Sequence, residues 1–207
     1  LGWNDGTEQE IYTMPELIKK FSLGHIGRSG ARFDEQKLIW LNGQWIRKSY
    51  AENPAELYNR TQDFWGGSAK NATEEQKNNI LSIIYDRLKT LSDIESMTSY
   101  FFADPEINLE MLTSNKFLKN FSAQDMTDLL NTVIDYLNQL GSWDKETLQT
   151  TLNQLLEKTN KKPAELFSLI RISLSFAPFS PALHDTMSIL GKDATISRLS
   201  SVISALK

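Results

Sequence analysis

Helix-capping chemistry constrains this chain more than any other feature. A helix leaves its first backbone N–H groups without partners, and a Ser, Thr, Asp or Asn before the first turn satisfies one of them. Such residues recur here with their companions in place. Thr13 stands three residues before Glu16, the spacing of a capping box, with Tyr12 and Leu17 set to staple the first turn. Thr73 with Gln76 and Ser92 with Glu95 repeat the box. Asp34 lies between Phe33 and Leu38, Ser122 between Phe121 and Met126, and Asp144 between Trp143 and Leu148, each an N-cap with a hydrophobic staple. Scattered Ser and Asp rarely find apolar partners on both sides so often. The expected fold class is all-α.

Turn signals separate the helices. Asn4-Asp5-Gly6 is a tight turn, Gly24, Gly27 and Gly30 break the stretch after the first helix, and Trp65-Gly66-Gly67-Ser68 makes a loop before Thr73. Asp104-Pro105 ends the helix pair that starts at Thr73, because the residue before proline is driven out of the helical region. A domain boundary is expected there. Pro163 opens a further helix, Ala177-Pro178-Phe179-Ser180-Pro181 is a stiff irregular loop, and Gly191 separates the last two helices. No repeat of fixed period is present.

Composition narrows the classes. With 40% apolar and 10% aromatic residues in 207, the chain can bury a core. A net charge of −4 excludes the global basic field of many nucleic-acid binders, so RNA recognition would rest on a few placed cations and on stacking. Residues 51–108 are clearly acidic; the flanking stretches are nearly balanced. There is no cysteine, which excludes disulfides and thiolate-bound metals and is compatible with a cytoplasmic location. His25 and His184 are the only histidines, and nothing in the sequence brings them together. No apolar run approaches the ~20 residues of a membrane span, and the opening residues carry no signal-peptide pattern. Gly24-His25-Ile26-Gly27 reads as a glycine-rich turn. Walker and GxGxxG phosphate loops are absent, and no nucleophilic triad or paired-carboxylate arrangement can be argued. No catalytic, cofactor-binding or metal-ligating residue is assigned.

Arg87 stands out by position. The stretch from Thr73 to Leu91 carries an apolar stripe through Ile80, Leu81, Ile83, Ile84, Leu88 and Leu91. At about 100° per residue Arg87 falls inside that stripe and Asp86 opposite it. A cation on an apolar face must snorkel, pair with an acid or meet a ligand, and pairing is the commonest outcome.

The segment Phe33, Asp34, Lys37, Leu38, Trp40, Leu41, Asn42, Gly43 reads F-D-x-x-K-L-x-W-L-N-G. Physically it is a packed helix whose Asn42-Gly43 suits a C-terminus. Together with Leu1-Gly2-Trp3 upstream and Leu190-Gly191-Lys192 downstream, it resembles the C-terminal region of bacterial-type glutamyl-tRNA synthetases, class I enzymes. Arg87 to Leu91 (R-x-x-T-L) resembles the segment whose arginine reads the last anticodon base. Leu169, Arg171 and Leu174 resemble the family's L-R-x-x-L run, although Ser175-Phe176 replaces the usual Thr-Gly and puts the following backbone path in question. Ser180-Pro181-Ala182-Leu183 resembles the segment lying against the anticodon; by itself it also reads as a helix start capped by Ser180 with Pro181 in the first turn. Phe179, in the loop beside it, is the better candidate for stacking on a base, and Trp143 and Phe176 the lesser ones.

The resemblance implies a fragment. Residues 1–50 would be the end of the stem-contact domain, 51–108 a first helical anticodon-binding domain and 109–207 a second. It implies anticodon recognition on glutamate tRNA through Arg87, Arg171, Phe179, Ser180, Pro181 and Leu183. The full-length parent would be a glutamate–tRNA ligase using ATP and magnesium through a catalytic domain in cis. No class I Lys-x-Ser-Lys run is present, so this chain would use no cofactor and be inactive alone. A monomer is expected, without membrane attachment. The competing reading is a helical protein-interaction module that binds no nucleic acid.

Overall fold

A computed structural model of the chain describes residues 2–27, 30, 32–177 and 180–207. The described residues are helical throughout, apart from connections and one isolated antiparallel bridge between Trp3 and Ile26. The helices are α1 (Met14–Lys20), α2 (Glu35–Glu52), α3 (Pro54–Arg60), α4 (Glu74–Ile84), α5 (Asp93–Phe102) and α6 (Leu109–Thr113), followed by α7 (Ala123–Asn138), α8 (Lys145–Thr159), α9 (Pro163–Ser175), α10 (Leu183–Leu190) and α11 (Lys192–Leu206). None is long and apolar enough to cross a membrane.

Most of the expected caps form. Thr13 and Glu16, Thr73 and Gln76, and Ser122 and Asp125 close reciprocal capping boxes on α1, α4 and α7. Asp34 accepts from Lys37 N at 3.1 Å and Asp144 from Thr147 N at 2.8 Å. Gly191, at φ 81°, separates α10 from α11.

Four expectations fail, each for a tertiary or competing local reason. The helix from Thr73 does not reach Leu91: α4 stops at Ile84, and the chain turns through Tyr85 to Arg87 before burying Leu88. Ser92 makes no cap bond, and Asp93 turns its carboxylate back to the preceding turn, its Oδ2 accepting from Lys89 N at 2.9 Å and Thr90 N at 2.8 Å. Asn42-Gly43 is no C-terminus, because α2 continues to Glu52 and Gly43 is instead a place of close approach to another segment. Ser180 does not cap α10; Ala182 is its N-cap, and the Ser180 hydroxyl faces Pro181 O at 3.4 Å.

Buried apolar side chains form two clusters. One gathers Ile46, Leu57, Trp65, Ile80, Ile84, Leu88 and Ile94 from α2 to α5. Trp65 Nε1 donates to Thr61 Oγ1 at 3.1 Å, and that hydroxyl donates to Tyr58 O at 2.6 Å, so its buried polar atoms are satisfied. The other cluster is built by α6 to α11: α7 and α11 pack along each other, α8 lies on α7 and α10, and α9 on α11 and α6. α10 also touches α4, and its Ile189 packs on the first cluster. α1 buries no residue, and Met14, Ile18, Leu23 and Phe33 stay exposed.

Candidate nucleic-acid interface

Arg87 sits where the two clusters meet. Its backbone is set by a turn, Arg87 N donating to Ile84 O at 2.9 Å. Its side chain reaches across to the residues before α10, where Nη1 donates to Ser180 O at 2.6 Å. Nε lies 3.8 Å from Asp86 Oδ1, with both side chains about half exposed; such a pair in water is worth little. Arg87 is therefore not the buried cation of a helical stripe. It is an anchored guanidinium with donor capacity left toward solvent. Beside it runs a cleft of about 320 Å³ lined by Asp86, Arg87, Lys145, Ala182 and Asp185. Lys145 Nζ pairs with Asp185 Oδ1 at 2.6 Å, so the cleft carries both signs of charge.

Arg171 lies behind this point on α9, half-buried. Its Nε is buried and has no hydrogen-bond partner among the described residues. Burial pushes its pKa down, and the nearby positive charge of Arg87 adds to that effect. Tyr100, 2% exposed, shares the region. Its hydroxyl reaches toward Thr186 without meeting hydrogen-bond geometry, and burial drives its pKa upward although Arg87, Arg171 and Arg198 oppose that shift.

The remaining sequence candidates divide. Ser180, Pro181 and Leu183 are buried, and Leu183 belongs to the second cluster, so they shape the backbone that receives Arg87. Phe179, with Pro178, lies outside the described residues. Phe176 caps α9 in the left-handed region at φ 39°, ψ 34°, so phenylalanine takes the conformation that a glycine would prefer. The end of α9 is nonetheless satisfied: Phe176 N donates to Ile172 O at 2.9 Å and Ser175 Oγ to Arg171 O at 3.0 Å. Trp143 spends its indole N–H on Met187 O at 2.8 Å, which makes it a packing residue.

Sequence reasoning missed Arg198, which is 8% exposed on α11. Its Nη1 donates to Leu174 O at 2.9 Å, its Nε to Asp104 Oδ1 at 2.9 Å and its Nη2 to Ala103 O at 3.3 Å. It ties the end of α9 to the 103–104 joint. The signal was available: Arg198 follows Thr195 by three and precedes Val202 by four, so it falls on the buried face of α11.

The architecture belongs to a known family. The profile of the anticodon binding domain matches residues 56–203, and the chain belongs to that family. The chain is 33% identical over 209 residues to glutamate–tRNA ligase 1 of Syntrophus aciditrophicus and 30% identical over 206 residues to the glutamate–tRNA ligase of Flavobacterium johnsoniae. Both matches cover 100% of this chain but 42% and 39% of the relative, so the chain spans about two fifths of the length of these curated relatives. A crystal structure of a glutamate tRNA ligase from Elizabethkingia meningosepticum, in complex with its amino acid, matches 100% of this chain and 39% of its own, with a TM-score of 0.77 and 26% identity. The resemblance carried by the Phe33–Gly43 segment is borne out by these relatives.

Proposed function

We propose that this chain reads the anticodon arm of glutamate tRNA as part of a glutamate–tRNA ligase. The observation that carries the reading is Arg87, a guanidinium anchored by one donor across the junction of two clusters, with its other donors beside a cleft. Glutamate and glutamine anticodons differ at the third base, cytosine against guanine. Cytosine presents the acceptors N3 and O2 on its Watson–Crick edge, whereas guanine presents donors there. Arginine has donors only, so its fork suits cytosine and faces guanine donor to donor, a mismatch that rejects the wrong tRNA. Arg171 adds a second cation behind the first. Phe179 would stack on an unpaired base, and Ser180, Pro181 and Leu183 would hold the backbone around it. With a net charge of −4, affinity would come from such placed contacts.

In this reading residues 1–50 continue a stem-contact domain, while 51–108 and 109–207 are two anticodon-binding units. ATP and magnesium would act in the part of the ligase that this chain does not match. The residues here do not fit those groups: among the described residues no cluster of three or more His, Cys, Asp or Glu could hold a metal ion. The sequence also contains no phosphate-cradling loop.

The test compares binding of two anticodon stem-loops that differ only at the third base. The wild-type chain should prefer cytosine, and affinity should fall steeply with salt. Arg87→Gln should cost roughly 1–3 kcal/mol with the glutamate anticodon and narrow the preference, because an amide both donates and accepts. Equal discrimination by both proteins would assign Arg87 to structure alone.

A further inference from the structure

The backbone that presents Arg87 is held on two sides, and one of them is α2. After α4 ends at Ile84, the carbonyls of the following turn have no helical partner. Side chains of α2 supply those partners. Arg47 Nη1 donates to Asp86 O at 2.9 Å, and Asn42 Nδ2 donates to Lys89 O at 2.5 Å. Between these two bonds α2 comes so close that a Cβ on Gly43 would sit 3.1 Å from Leu88 O and 3.6 Å from Lys89 Cα. Only glycine allows that approach without displacing the turn. Further along the same face, Tyr50 stacks on Tyr85 with ring centroids 3.9 Å apart. On the opposite side Asp93 accepts the N–H groups of Lys89 and Thr90. The carbonyls of 86 and 89 and the amides of 87, 89 and 90 are thus all engaged, and Arg87 projects from a clamped segment.

A guanidinium rejects a mismatched base only if it cannot move aside. A shift of a few tenths of an ångström would let Arg87 swing away from guanine's donors and recover solvent. The worth of a donor–donor mismatch therefore depends on how stiffly the turn is held.

We infer that Asn42, Gly43 and Arg47 are positioning residues for base selection by Arg87: by gripping the carbonyl side of residues 86–89, α2 converts a flexible cation into a discriminating one. The inference rests on the anticodon reading above. It also makes α2 the physical link between residues upstream of the turn and the choice made at Arg87.

The experiment uses the 207-residue chain as wild type and as Asn42→Ala, Arg47→Ala, Arg47→Lys and Arg87→Gln. Asn42 is exposed and Arg47 half-buried, so neither truncation empties a core. Each protein is titrated with the cytosine and guanine stem-loops, and amide hydrogen exchange is followed in the free chain. Asn42→Ala and Arg47→Ala should each reduce the cytosine-to-guanine preference about fivefold, the value of roughly one hydrogen bond. Exchange at Lys89 and Thr90 should accelerate while α7 and α11 stay protected. Arg47→Lys, which keeps a donor, should retain most of the preference. A structural role alone would lower the melting temperature and leave the preference untouched.

If Arg87→Gln abolishes the preference and the two truncations leave it intact, the inference falls and the anticodon reading stands. The same holds if Arg47→Lys fares no better than Arg47→Ala while exchange in the turn is unchanged. If the wild-type chain shows no preference at all, the anticodon reading falls and takes the inference with it.

Discussion

Replacing Arg198 tests whether the junction is held by charge or by satisfied carbonyls. The three acceptors differ in environment. Asp104 is 82% exposed, so its ion pair with Arg198 is screened by water and should contribute about 0–1 kcal/mol. Ala103 is exposed and its carbonyl can rehydrate, so losing that bond costs a few tenths. Leu174 O is different. Its bond to Arg198 Nη1 is buried, and removing the donor leaves an acceptor with no access to water, at about 1–3 kcal/mol. Arg198→Met keeps much of the aliphatic stem and removes all three bonds, so a loss of roughly 1–4 kcal/mol is expected. Asp104→Ala removes only the exposed acceptor and should cost less than about 1 kcal/mol. Urea unfolding of both single variants and the double variant separates the contributions. If Asp104→Ala destabilises as much as Arg198→Met, with a coupling energy equal to either, the exposed ion pair carries the junction and the weighting by burial is wrong.

Two other outcomes are expected. The carboxyl of Asp144 is held down to about 2, first by the backbone N–H of Thr147 and then by the hydroxyls of Ser142 and Thr147. A lowered folded-state pKa contributes stability above the ordinary carboxylate value, and that contribution fades as pH falls through the folded value. Unfolding of the first turn of α8 followed by NMR from pH ~4 downward should therefore show an acid limb in the wild type, and Asp144→Asn should lack it; identical profiles would show that the cap contributes nothing. Residues 103–108 are largely exposed and non-helical, so brief proteolysis should cut there before α7 or α11; first cleavage inside either helix would contradict this.

The capping residues were readable because a cap is a contact between residues three apart. Thr13, Thr73, Ser122 and Asp144 needed nothing beyond their own segment. Arg87 was singled out for a reason that did not hold. The apolar spacing continues through Leu88 and Leu91, so the stripe looks unbroken, yet the chain leaves the helix after Ile84 because α2 and Asp93 offer its backbone better partners. Asn42-Gly43 was misread for the related reason that a glycine needed for close approach is indistinguishable, in one sequence, from a glycine that ends a helix. Ser180 and Pro181 looked like a cap and a first turn, but burial of Leu183 and the demand of Arg87 for Ser180 O set the start of α10 later. Arg198 was legible by the argument applied to Arg87; it lies on the buried face of its helix, where only paired cations survive.

Arg198 and Arg87 also differ as mechanical fastenings. A single hydrogen bond, such as that from Arg87 to Ser180, fixes a distance and leaves orientation free, as a ball joint does. A planar guanidinium engaged by three acceptors on two chain segments resists rotation as well as translation and behaves as a weld. Arg198 therefore fixes α11 to the end of α9 and to residues 103–104, while the bond from Arg87 to Ser180 is one pin in a seam where α10 also packs on α4 and Ile189 on the first cluster. What freedom remains at the Arg87 end is rotation of one guanidinium about its bond to Ser180 O, not displacement of the 86–90 turn, whose carbonyls and amides are engaged.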